Sequence, residues 1–172
     1  GVETYLVTAT RGERGRFGDA AVRPELHVVG EVLEAELRAA GQELGIREIY
    51  FLDYIDGDLD RANPAEAQDK IVGLLRKVRP HVVVTFGPDG GYGHPDHIAI
   101  SQLAGASVLL AADPTYATGG IAHHRVSKFY YMAWSKSKWD AYQAAFKKLV
   151  FTVDGAERQA APWPDWAITS VL

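Results

Sequence analysis

The chain has 172 residues, is 47% hydrophobic and carries a formal net charge of -4 with acids and bases interspersed, which suits a single domain over residues 1–172 and leaves no basic footprint for nucleic acid. Cysteine is absent, so disulfides and thiolate metal sites are excluded and any zinc must use histidine and carboxylate, the ligand set of a catalytic site. No apolar run approaches the ~20 residues of a membrane span and no signal-like segment opens the chain, so a soluble protein with no membrane partner is expected, compatible with the cytoplasm.

Residues 4–10 are rich in β-formers and predict a strand, followed by a loop at its carboxyl end that carries Arg11, Glu13, Arg14, Arg16 and Asp19. Arg11 and Glu13 are candidates for holding a substrate, although a solvated charged loop is the commoner meaning of such a run. From Val28 to Leu44 apolar residues recur at helical spacing (Val29, Val32, Leu33, Leu37, Ala40), with Gly45 as the stop, so this segment reads as a core-packing helix. Residues 47–53, containing Ile49, Tyr50, Phe51 and Leu52, form the next predicted strand. Its carboxyl-end loop places Asp56 before Gly57, either as a donor-binding group for sugar hydroxyls or as an ordinary turn aspartate.

Pro64 opens a predicted helix to Val78, and Pro80 ends it ahead of Val82–Phe86, a run expected to be a strand buried on both faces. Strand and helix have by then alternated three times. That alternation predicts an α/β fold, a mainly parallel Rossmann-like sheet with helices on both faces in three layers. After the strand, Gly87-Pro88-Asp89-Gly90-Gly91 breaks the chain, and Pro95 starts a helix to about Ala111. His94, Asp96 and His97 therefore gather at a helix start and a strand's carboxyl end, where open α/β sheets bind ligands. Spaced by three, the two histidines address one point. A neutral imidazole suits zinc, and a carboxylate beside an imidazole sets its tautomer. A capped helix start with two exposed histidines is the plainer alternative.

Beyond it, residues 113–120 read as a loop or flap, and His123-His124 as a solvent-exposed pair more than as metal ligands. Residues 126–134 predict a strand, 135–149 a helix and 150–153 an edge strand. Pro162-Trp163-Pro164-Asp165-Trp166 is extended by its prolines, its tryptophans covering a pocket or packing on the domain.

The segment from Arg79-Pro80 through Gly91-Tyr92-Gly93-His94-Pro95-Asp96-His97 resembles the second signature of the LmbE-like (PIG-L) family of zinc-dependent N-acetylglucosaminyl deacetylases. Thr10-Arg11-Gly12-Glu13, Glu36-Leu37 with Leu44-Gly45, Tyr54-Ile55-Asp56-Gly57 and Trp163 to Thr169 agree with it in order. The resemblance implies a metal-dependent hydrolase that removes an N-acetyl group from an amino sugar or related conjugate. It implies zinc or another divalent metal with His97 as one ligand, polarising the amide and activating water. His94 would stabilise the oxyanion or protonate the leaving amine, oriented by Asp96, and Tyr92 would donate to the oxyanion.

A first family motif, His-Pro-Asp-Asp, carries the other two ligands and the base, and it is absent from this sequence. Leu33 stands where relatives often have arginine. The resemblance thus implies a chain that opens at the family's second strand and stops inside a strand at Leu172, incomplete at both ends. An unpaired sheet edge would favour a homo-oligomer. The alternative is a non-catalytic relative that binds a small molecule or a partner. A nucleotide-binding Rossmann reading lacks the glycine fingerprint it needs.

Overall fold

The computed structural model describes residues 1–15, 17–18, 23–117, 119–146, 150–153 and 155–170. Arg16, Asp19, Leu149 and Leu172 lie outside the described residues. The backbone gathers into two compact units, Gly1–Asn63 and Pro64–Leu172.

In the first unit, strand β1 (Tyr5–Thr8) pairs in parallel with β2 (Glu48–Phe51), Leu6 opposite Ile49, across the crossover helix α1 (Leu26–Glu43). Gly41 lets α1 lie close on β2, since a Cβ there would come within 2.6 Å of Ile49 Cδ1. The helix ends where Gly45 turns into the left-handed region at φ 69°, the conformation glycine adopts without steric cost. Val29 is fully buried. Val32 and Leu44 are exposed, so α1 packs through a narrower stripe than its periodicity promises, centred on Val29, Gly30 and Gly41.

In the second unit, α2 (Pro64–Val78), β3 (Val82–Phe86), the four-residue turn α3 (Gly90–Gly93) and α4 (Pro95–Ala112) follow one another, then β4 (Lys128–Met132) and α5 (Lys136–Phe146). Strands β3 and β4 run parallel in register Val82↔Lys128 to Phe86↔Met132. Helix α2 packs on α4, burying Ala67, Ile71, Val72 and Leu75 against a face that includes Leu103, Ala104 and Ala111. Burying a valine completely, as at Val72, contributes roughly 1.5–3 kcal/mol. A short antiparallel hairpin, β5 (Phe151–Val153) and β6 (Ala156–Arg158), follows. Its second strand has no β-forming signature and was not anticipated by the sequence.

The α/β class and its parallel pairing are as expected, but the described strands form separate two-stranded ladders rather than one continuous sheet. The run Val82–Phe86 is a strand, yet not buried on both faces: Val82 is 47% and Val84 56% exposed, while Thr85 between them and Phe86 is 9% exposed. Alternation in a strand sends neighbours to opposite faces, and only the Val83/Thr85 side is strongly covered. The loop after α4 is no free flap in its described part. Arg76, 3% exposed, donates to the carbonyls of Leu110, Ala111, Asp113, Tyr116 and Ile121. One guanidinium thus satisfies the last carbonyls of α4 and ties the loop to it. Asp165–Ala167 forms a single 3-10 turn within the otherwise extended tail. No helix among the described residues is long and apolar enough to cross a membrane.

Candidate active site

Strand β3 delivers the chain to Gly87, where side-chain room runs out: a Cβ would come within 2.6 Å of Asp89 Oδ1 and 2.7 Å of Trp163 Cζ2. The indole of Trp163 lies over this turn. Its Nε1 donates to Asp89 Oδ2 at 3.1 Å, and its backbone amide donates to the Trp134 carbonyl. Asp89 Oδ1 is buried with no hydrogen-bond partner. Gly90, Gly91 and Gly93 all adopt positive φ, so the chain doubles back and enters α4 through His94.

His94 is the N-cap of α4, and its Nδ1 accepts from the Asp96 amide at 3.2 Å. An accepting Nδ1 puts the proton of the neutral ring on Nε2. Asp96, 5% exposed, lies in the first turn, at the positive end of the helix dipole. The contact that orients His94 is thus the main chain of Asp96. Three residues on, His97 Nδ1 lies 3.1 Å from the Gly90 carbonyl. A carbonyl can only accept, so here Nδ1 carries a proton, which in a neutral ring leaves the lone pair on Nε2. The two histidines hold opposite tautomers, one presenting a donor and one a ligand atom at Nε2.

Ring packing fixes both. His97 stacks on Phe86 at 3.9 Å and on His94 at 4.6 Å. Tyr92 meets His94 and His97 edge-on, at 5.9 and 5.3 Å, and stacks its own face on Phe151 at 4.1 Å. The spacing of three therefore does bring His94 and His97 together, with Tyr92 against them.

A catalytic zinc takes three protein ligands. His97 has the tautomer of a ligand, supported from behind by a carbonyl as such histidines are. Among the described residues, however, no three His, Asp or Glu side chains converge. His124 does not help, because its Nε2 is 2.8 Å from the Pro80 carbonyl, and His123 offers only its own carbonyl to Arg79. The donor set fits one ligand of a zinc site and does not complete it.

The first unit collects the remaining candidates into one loop cluster. Glu13, 4% exposed, accepts from the backbone amides of Arg11 and Asp56. Arg11 reaches Glu34 at 2.5 Å and Asp53 at 2.8 Å, and these carboxylates raise its pKa, Glu34 foremost. Asp53 holds its place at a positive φ of 63°. Asp56 accepts from the Arg14 amide, and Arg14 bonds Asp58. Leu33 lies beneath Gly12, 3.6 Å from where a Cβ would stand.

Sequence reasoning missed the Asp89–Trp163 pair, Phe151 and Arg158. Gly87 was the available signal for the first, since a glycine between a strand and a turn often marks a close approach. Phe151 lies in the edge strand expected at 150–153, and Arg158 in the partner strand that was not anticipated.

Comparison with known proteins places this geometry. The sequence profile of the GlcNAc-PI de-N-acetylase (PIG-L) family matches residues 1–108. A 1D-myo-inositol 2-acetamido-2-deoxy-alpha-D-glucopyranoside deacetylase of Streptomyces griseus is 37% identical, over 91% of this chain and 53% of its own length. Among solved structures, the conserved protein TT1542 of Thermus thermophilus matches with a TM-score of 0.61 at 29% identity, over 84% of this chain and 64% of that one. The N,N'-diacetylchitobiose deacetylase of Pyrococcus horikoshii matches with a TM-score of 0.64 at 25% identity, over 75% of this chain and 48% of that one. The chain spans about half the length of the curated relatives it matches. By the family profile it carries and the motif at its paired histidines, the chain belongs to the PIG-L (LmbE-like) family.

Proposed function

We propose that the protein hydrolyses the N-acetyl amide of an amino-sugar conjugate, releasing acetate and the free amine. The observation that carries this reading is the pair of opposed contacts of the stacked rings, His94 Nδ1 accepting from a main-chain amide and His97 Nδ1 lying against a main-chain carbonyl. Amide hydrolysis adds water to the carbonyl carbon and concentrates negative charge on its oxygen, and a preorganised donor there is the largest single contribution a site can make. His94 Nε2–H is such a donor. A neutral ring whose Nδ1 already accepts a hydrogen bond is a poor proton source, which supports oxyanion stabilisation over proton delivery to the amine. The Tyr92 hydroxyl supplies a second donor, its ring clamped by Phe151. His97 serves as one zinc ligand, and no step is derived through a metal whose other ligands are not among the described residues.

In the first unit we assign Glu13 a holding role, since it ties the backbone amides of Arg11 and Asp56 together. Both the relatives' names and the sugar-deacetylase neighbour favour an acetamido sugar. The test is acetate release from N-acetylglucosaminyl-inositol and from N,N'-diacetylchitobiose by the zinc-supplied protein. A His94→Ala variant should lose roughly 10²–10³ in kcat with KM little changed. No acetate from either sugar, or a His94→Ala variant as fast as the parent, contradicts the reading.

A further inference from the structure

The hairpin β5–β6 places one more chemical group at the histidine loop. Phe151 and Arg158 are directly opposed across it, and opposed residues of an antiparallel pair point to the same face. Both side chains do meet the same loop. Phe151 stacks on Tyr92 at 4.1 Å, while the stem and guanidinium of Arg158 lie against Gly93, where a Cβ would stand 3.5 Å from Cδ and 3.4 Å from Nη1. Gly93 has a positive φ of 79° and no side chain, so the arginine can reach the residue that immediately precedes His94.

Arg158 Nε is buried there without any hydrogen-bond partner, and among the described residues no carboxylate pairs with it. A buried donor left unmade is costly, more so on a charged group, and needs an explanation. Among the described residues of the hairpin nothing supplies the missing acceptor. Guanidinium groups held this way match carboxylate and phosphate oxygens through two parallel N–H donors.

We propose that Arg158 is a specificity residue that takes an anionic oxygen, carboxylate or phosphate, carried by the acylated amino sugar, with hairpin β5–β6 as the element that presents it. This rests on the amino-sugar reading above for the identity of the sugar. The Phe151–Tyr92 stack couples anion recognition to the donor Tyr92, so the substrate's charged group and its amide are read by adjacent residues.

The test compares three probes, N-acetylglucosamine, N-acetylglucosamine 1-phosphate and N-acetylmuramic acid, by calorimetric binding and by acetate release. The parent protein should bind an anionic probe about 10- to 100-fold more tightly than the neutral sugar. The phosphate and carboxylate arms tell which anion is meant. Arg158→Met, which keeps the apolar stem on Gly93, should bring the ratio to about one. Arg158→Lys, which keeps charge but not the fork, should retain part of it. A parent protein without preference overturns the proposal before any variant is made, and an Arg158→Met variant that keeps the preference overturns it too. Anion-selective binding without acetate release would leave this site standing and remove the deacetylase reading instead.

Discussion

Two loops at strand ends carry the candidate site residues of this chain, and they are built on opposite plans. In the first unit, Arg11, Glu13, Arg14, Asp53, Asp56 and Asp58 find their partners in one another and in nearby main chain. In the second, Tyr92, His94 and His97 are locked by ring stacking and by two main-chain contacts. Around them Asp89 Oδ1 and Arg158 Nε are buried without partners. A network that satisfies itself stabilises a loop. A cluster that holds its rings in fixed contacts and leaves buried polar atoms unmatched is prepared for something that arrives, since a buried unmatched group calls for such an explanation. The difference teaches which residues should change turnover and which should change stability.

The sharpest way to break this contrast is at His94. His94→Ala should cost roughly 10²–10³ in kcat and only about 1 kcal/mol in stability for the lost cap, read by acetate release and by urea unfolding. Tyr92→Phe keeps the ring on Phe151 and removes only the hydroxyl, so a smaller loss, about 10-fold or more in kcat, should come with a shift in the unfolding midpoint no larger than that of Glu13→Ala. Glu13→Ala reverses the pattern. It strands the amides of Arg11 and Asp56 and should cost about 1–3 kcal/mol, with kcat reduced far less than by His94→Ala. If Glu13→Ala were stable but as slow as His94→Ala, the two loops would not differ in kind.

The smallest effect is electrostatic and confined to acid. Arg11 first, then Arg38, hold the Glu34 carboxyl below its ordinary value of 4.5. A depressed folded-state pKa contributes stability that is fully present above that ordinary value and is lost as pH falls through the folded one. The parent should therefore weaken more between about pH 5 and pH 3 than a Glu34→Gln variant does. Because the pair is partly exposed, the difference should shrink in high salt.

How much of this was legible in the sequence depends on the range of the cause. Helix α2 and strand β3 fall at Pro64–Val78 and Val82–Phe86 as expected, because proline punctuation and a β-branched run act locally. The histidine cluster was legible for the same reason: a spacing of three and a proline at the helix start need no tertiary information. Which face of β3 is covered was not legible, since Val82 and Val84 are as apolar as a buried pair would be. Nothing in the helical pattern singles out Arg76, and only the fold reveals the carbonyls converging on it. Trp163 meets Asp89 across a separation of 74 residues, and Arg158 reaches Gly93 from a hairpin whose strand Ala156–Arg158 has no strand-forming composition. Contacts of that reach leave no periodicity to find.

The central claim is that His97 presents a metal-binding Nε2 within a hydrolytic site, and zinc stoichiometry of the purified protein and of His97→Ala, by elemental analysis, tests it most directly. With His97 as its one described ligand the parent should hold less than one zinc per chain when zinc is supplied, and His97→Ala should hold almost none of it. Zinc retained in full by His97→Ala would contradict it.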